Sequence, residues 1–192
     1  VEGYLHIILG PMFSGKTSAL LRLLFNDAAI GLNVLYINHE RDTRAGAYST
    51  HNPLYKEHLA TMSNVSFCSV KELSSVDVDR YDVIGIDEAQ FFEDLLTVND
   101  WVDERGKKVI VAGLDGDFRR EKFGHIVDLV PKSNQVEKLT AYCKMCASKT
   151  PRVMKLAYFT LRTANTKDVI YVGGASDYQP ACRACHLGAR NE

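Results

Sequence analysis

The sequence predicts an α/β fold: a parallel sheet with helices on both faces, followed by a small β-hairpin unit. Three observations carry this prediction. Short apolar runs alternate with amphipathic stretches of helical period through residues 1–141, as in strands joined by crossover helices. The stretch "GPMFSGKT" (Gly10–Thr17) fits G-x-x-x-x-G-K-[ST] and lies between the first apolar run and the first helical stretch, where a phosphate-cradling loop belongs. From Tyr142 onward the texture changes to paired cysteines and short β-like segments. A boundary at that point divides the chain into 1–141, a P-loop nucleotide-binding α/β domain, and 142–192, a smaller unit.

Taken in order, "YLHIIL" (Tyr4–Leu9) is a short apolar run that suits a buried parallel strand. After Lys16, Leu20, Leu24 and Ala28 recur at helical spacing, and Gly31 is a C-terminal stop. "NVLYIN" (Asn33–Asn38) reads as the second strand. Glu40–Val65 is polar and weakly periodic, so a long loop with one helical turn is expected, with Cys68 in a strand beyond it. "YDVIGIDEAQFF" is a buried strand that changes character at Asp87. "EDLLTVNDWVDERG" then fits an amphipathic helix closed by Gly106. "KVIVAGL" (Lys108–Leu114) is the next strand and "QVEKLTA" a further one. In the small unit, "VMKLAYFTLR" and "DVIYVGG" read as two strands of a hairpin.

Of the 192 residues, 46% are hydrophobic and 24% charged, enough for a substantial core. The net charge is −1 and the densest basic run is "FRREKF", which argues against an extended nucleic-acid surface. The chain shows no 18-residue apolar run, and no basic segment leads into a long apolar one. Neither a membrane partner nor a secretory signal is therefore expected, and the cytoplasm is the expected compartment.

A strand feeding Gly10 and a helix starting near Lys16 supply the context that the phosphate-loop motif requires. Gly10 and Gly15 permit backbone geometries that other residues resist, so that successive N–H groups of Gly10, Pro11, Met12, Phe13, Ser14 and Gly15 (Pro11 contributing none) converge on phosphate oxygens. Lys16 would reach the β- and γ-phosphates and Thr17 would ligate Mg²⁺. The second half of such a site is "VIGIDE": Asp87 at the end of an apolar strand suits the Mg²⁺ side, and Glu88 lies where the sheet opens. Its carboxylate could take a proton from an attacking hydroxyl or from water. ATP with Mg²⁺ is the implied ligand.

The chain has five cysteines, four of them in the pairs Cys143/Cys146 and Cys182/Cys185. Two C-x-x-C knuckles form a strong pattern for structural, tetrahedral Zn²⁺. His186 adjoins Cys185 and is an alternative fourth ligand. Cys68 stands apart and reads as a small buried hydrophobe.

"GPMFSGKT", "DTR", "VIGIDEAQFF", "GLDGDF" and the paired "CKMC" and "CRAC", in this order, resemble the thymidine kinases of the cytosolic, zinc-containing type over Leu5–His186. The resemblance implies transfer of the γ-phosphate of ATP to the 5′-hydroxyl of thymidine or deoxyuridine, with Mg²⁺ and structural Zn²⁺, in a homotetramer or a dimer. By that resemblance Glu88 is the base, and Arg44 and Gln90 join Asp87 on the nucleotide side. Phe118 would stack on the pyrimidine, with Met12, Phe91, Leu114 and Phe123 closing an apolar pocket and Thr160 near the 5-methyl group. Tyr178 and the backbone of Tyr171, Val172 and Gly173 would form a zinc-anchored lasso over the nucleoside. The family usually has glycine where Ala89 stands, and neutral or basic residues where Asp117 and Glu121 stand. The alternative is a zinc-containing P-loop ATPase acting on nucleic acid, suggested by "DEAQ" and the zinc knuckles. It lacks a second motor lobe and a basic surface.

Overall fold

The computed structural model describes residues 2–41, 53–150, 154–163 and 177–189. The larger unit contains β1 (Tyr4–Leu9), α1 (Lys16–Ala29), β2 (Val34–His39), α2 (Pro53–Thr61), β3 (Val65–Val70), β4 (Val83–Ile86), α3 (Val98–Asp103), β5 (Lys108–Gly113) and β6 (Gln135–Lys138). Its six strands form one parallel sheet in the order β3-β2-β4-β5-β1-β6. Parallel pairing requires long crossovers, and these place helices on both faces.

Strand alternation sorts the core into two layers. Ile7, Leu9, Ile37, Ile86 and Val111 face Phe92, Leu95, Trp101 and Leu129. Their neighbours Ile8, Tyr36, Val83, Ile110 and Ala112 face the other way, against Leu20, Leu21, Leu24 and Ala28 of α1 and Leu59 of α2. Every side chain named in these two layers is buried. A period of two along each strand meets a period of 3.6 along α1, and each fully buried Leu contributes about 1.5–3 kcal/mol.

The smaller unit contains β7 (Ala141–Tyr142), α4 (Lys144–Lys149), β8 (Leu156–Ala157), β9 (Phe159–Arg162), β10 (Tyr178–Ala181) and α5 (Arg183–Gly188). It carries its own cluster of Ala141, Cys143, Ala157 and Cys182, with Met145, Cys146 and Cys185 packed against it.

Three local expectations change. Inside the stretch read as loop with one helical turn lies α2, a nine-residue helix; from Glu57 to Thr61 only Leu59 is buried, too little to print a periodic stripe. The helix expected from Glu93 begins as a 3-10 turn at Leu95–Thr97 and becomes α-helical only at Val98. Asp94 is held away, because its carboxylate accepts the N–H groups of Leu73 (3.1 Å) and Ser74 (2.8 Å). "VMKLAYFTLR" is divided: β8 pairs with β7, whereas β9 pairs antiparallel with β10. The segment "DVIYVGG" lies outside the described residues.

Candidate active site at the carboxyl edge of the sheet

β5 lies between β1 and β4, and all three strands run in the same direction. Their carboxyl ends, Leu9, Ile86 and Gly113, therefore open on one edge, where crevices form in such sheets. β1 leads directly into the phosphate loop. Gly10 (φ 150°) and Gly15 (φ 82°) adopt positive φ, and Gly15 caps α1. A side chain at position 10 would lie 2.7 Å from Ser14 Oγ and 2.8 Å from the Leu139 carbonyl, so only glycine fits the bend. Ser14 Oγ and Lys16 Nζ each donate to the Pro11 carbonyl at 2.8 Å, drawing the loop into a concave hook. Phe13 is its exposed tip, also at positive φ (65°).

At the end of β4, Asp87 is buried and accepts hydrogen bonds from Tyr36 Oη (2.9 Å), from the Glu88 N–H (2.9 Å) and from the Thr17 hydroxyl. Burial, reinforced by the neighbouring Glu88 charge, raises its pKa to about 6, while the three hydrogen bonds oppose the rise. Thr17 and Asp87 thus present two hard oxygen donors side by side, a set that fits Mg²⁺.

Glu88 occupies the left-handed region (φ 49°, ψ 40°), a conformation rare for non-glycine residues and one that clusters at functional sites. Its side chain is half-buried. Its Oε2 accepts a 2.6 Å hydrogen bond from Gln90 Nε2. Ala89 itself does not adopt positive φ, so the alanine meets no backbone strain there.

Phe91 and Leu114 are buried. Phe91 meets Phe123 edge-to-face at 5.8 Å between centroids. The smaller unit contacts Phe118 and the phosphate loop. Arg162 lies over the Phe118 ring at 3.9 Å and donates from Nη2 to Tyr178 Oη at 2.9 Å. His186, fully buried, has Nε2 2.9 Å from the Phe118 carbonyl. Thr160 Oγ1 accepts the N–H of Met12 at 3.0 Å, which joins the phosphate loop to β9. Asp117 is absorbed by its own turn, accepting the N–H groups of Arg119 (2.7 Å) and Glu121 (3.0 Å) and pairing with Arg119 Nε (3.0 Å).

The sulfurs of Cys143, Cys146, Cys182 and Cys185 all lie within 4.8 Å of one another. Cys146 Sγ is 3.5 Å from Cys185 Sγ and 3.9 Å from Cys182 Sγ. Disulfides require about 2.05 Å, whereas Zn–S bonds of about 2.3 Å place tetrahedral sulfurs about 3.8 Å apart. The donor set fits zinc, with Cys185 as the fourth member and His186 directed at Phe118.

Of the predicted residues, Thr17 is in contact with Asp87 and Glu88 follows directly. Phe91 meets Phe123, Thr160 meets Met12, and Phe118 and Tyr178 are linked through Arg162. Arg44, Tyr171, Val172 and Gly173 lie outside the described residues. Sequence reading missed Tyr36, Arg162 and the contact of Gln90 with Glu88, each reaching its partner without any local spacing motif.

A sequence model of the family described as thymidine kinase matches residues 3–186. The chain belongs to the thymidine kinase family. Among similar thymidine kinases is one from Oryza sativa subsp. japonica, 42% identical over 192 residues, covering 96% of this chain and 66% of the rice protein. That of Yaba monkey tumor virus is 38% identical, covering 99% of this chain and 98% of the viral protein. The cytosolic thymidine kinase of Bos taurus is 38% identical over 97% of this chain and 73% of its own length. A solved structure, the flagellar accessory protein FlaH from Methanocaldococcus jannaschii, is similar in fold alone. It gives a TM-score of 0.50 at 14% identity, covering 73% of this chain and 72% of its own. Membership of the thymidine kinase family makes the chain a phosphotransferase and disfavours the nucleic-acid ATPase alternative. Among the described residues, no helix is long and apolar enough to cross a membrane.

Proposed function

We propose that this chain transfers the γ-phosphate of ATP to the 5′-hydroxyl of thymidine, and of deoxyuridine, giving the nucleoside monophosphate for deoxynucleotide salvage. The observation that carries the reading is the placement of Glu88, one residue beyond the Asp87–Thr17 oxygen pair and in a strained left-handed turn. Glu88 takes the 5′-hydroxyl proton as that oxygen bonds to the γ-phosphorus and the bond to the bridging oxygen breaks, releasing ADP. The loop Gly10–Thr17 cradles the triphosphate, with Lys16 on the β- and γ-phosphates and Arg44 approaching them. Thr17 and Asp87 would hold Mg²⁺, which when bound would supply charge neutralisation at the phosphates.

Phe118 stacks on the pyrimidine, Phe91, Leu114, Phe123 and Met12 line its slot, and Thr160 sits by the 5-position. Tyr178 and the backbone of residues 171–173 cover it. The four cysteines would hold zinc and so anchor this cover, within a smaller unit proposed to span 142–192 and whose first strand starts one residue earlier, at Ala141. Assembly as a homotetramer and a cytoplasmic location belong to the same reading.

Glu88→Gln is the test. ATP affinity is expected within about twofold of the parent, with turnover on thymidine reduced 10²-fold or more, roughly the contribution of a general base. Near-normal turnover in this variant removes Glu88 from its role. A nucleoside panel and a polynucleotide are assayed beside it; phosphate release that requires the polynucleotide overturns the acceptor assignment.

A further inference from the structure

We propose that Gln90 is a positioning residue that fixes the Glu88 carboxylate in its working orientation, a role that rests on the reading of Glu88 as the base. Gln90 is 4% exposed and lies in the 3-10 turn Ala89–Phe91 that follows Glu88. Its carboxamide bridges two strand ends. Oε1 accepts the Leu114 N–H at 3.0 Å, just beyond β5, and Nε2 donates to Glu88 Oε2 at 2.6 Å, just beyond β4.

The backbone settles which amide atom faces which partner. Leu114 offers a hydrogen-bond donor and only an oxygen can accept from it, so the amide nitrogen faces Glu88. Two glycines leave room for this arrangement and little for any other. A side chain at Gly113 would lie 2.7 Å from Oε1, and one at Gly124 only 2.3 Å from the Gln90 carbonyl. The amide is therefore gripped at its oxygen, at its main chain and along its flank.

A flexible glutamate has several rotamers, and only one presents its oxygen to an incoming alcohol. A charge-assisted bond from a fixed donor selects one, and a misplacement of about 1 Å in a reacting group can lower a rate about 10²-fold. In this proposal Gln90 acts through Glu88, in place of the nucleotide-side role that the resemblance implied for it.

The test is a cycle of Gln90→Glu, Gln90→Met, Glu88→Gln and the double variant Glu88→Gln/Gln90→Glu. Gln90→Glu keeps an oxygen for Leu114 and loses the donor; Gln90→Met loses both. Each Gln90 variant is expected to lower kcat about 10–100-fold, with KM for ATP and for thymidine within about twofold. Adding Gln90→Glu to Glu88→Gln is expected to lower kcat no further, since the group it positions is already gone. Parental kcat in either folded Gln90 variant overturns the proposal. So does a kcat loss that multiplies on the Glu88→Gln background, a raised KM for ATP at unchanged kcat, or failure of both Gln90 variants to fold. Near-normal turnover in Glu88→Gln alone instead removes the base assignment, which separates the two readings.

Discussion

Replacing Gly113 by alanine tests the packing around Gln90 without removing any polar group. Gly113 ends β5 and does not adopt positive φ, so the backbone accepts alanine and the effect is purely steric. The added methyl would lie 2.7 Å from Gln90 Oε1, 3.0 Å from Ile126 Cδ1 and 3.2 Å from the Ala89 nitrogen, whereas ordinary contact begins near 3.4 Å. Relief needs a shift of roughly 0.7 Å at Oε1, and that atom is held by the Leu114 N–H. Overpacking of this kind costs about 1–3 kcal/mol. At about 2–4 °C per kcal/mol for a chain of this size, the melting temperature should fall by about 2–12 °C. The displaced amide should drag Glu88 with it, so kcat should fall about 10-fold with little change in KM. Calorimetry and steady-state kinetics read both effects. Gly188→Ala is the control, because its methyl would meet nothing within 4 Å and it lies in α5. A Gly113→Ala protein with parental melting temperature and kcat refutes the claim that the amide is tightly bracketed.

Two further perturbations address the rest of the site. Removing zinc with a chelator should raise the Kd for thymidine 10-fold or more while leaving the Kd for ATP within about twofold, because Arg162 and His186 hold Phe118 from the zinc-binding side. Calorimetric titrations before and after zinc is restored check this, and equal loss of both affinities counts against it. Asp87 predicts a pH dependence of stability. With its pKa raised to about 6, chiefly by burial, the folded chain keeps a proton that an unfolded aspartate releases near pH 4. The stabilisation linked to that proton is full below about pH 4 and is lost as pH rises through about 6. Asp87→Asn should therefore flatten the fall in melting temperature between pH 5 and pH 7.5 in the ligand-free protein; an unchanged slope sinks the assignment.

The parts of this protein legible in its sequence are those whose cause is local. β1 spans Tyr4–Leu9 as its apolar run dictates, and Leu20, Leu24 and Ala28 are buried along α1 as their spacing requires. The phosphate loop and the cysteine knuckles could be read because close chain neighbours supply most of their groups. What could not be read depends on distant partners. Asp94 breaks a helical pattern by turning to Leu73 and Ser74, 20 residues or so away. "VMKLAYFTLR" looks like one strand because apolar residues continue through it, but its two halves find different partners, Ala141–Tyr142 and Tyr178–Ala181. Arg162 resembles any arginine at a strand end until Phe118 and Tyr178 are brought to it. Gln90 sits in a motif, and the motif gives no sign that the amide reaches back two residues to Glu88.

The hydrogen bond between the Met12 amide and the Thr160 hydroxyl ties together points 148 residues apart in the chain. In the proposed reading one end belongs to the cradle for the donor nucleotide and the other to the wall beside the acceptor. On that reading the gap across which a phosphoryl group must travel is gauged by this clasp as well as by the sheet. A small unit seated askew would spoil the reaction with both ligands still bound, simply by setting donor and acceptor at the wrong separation.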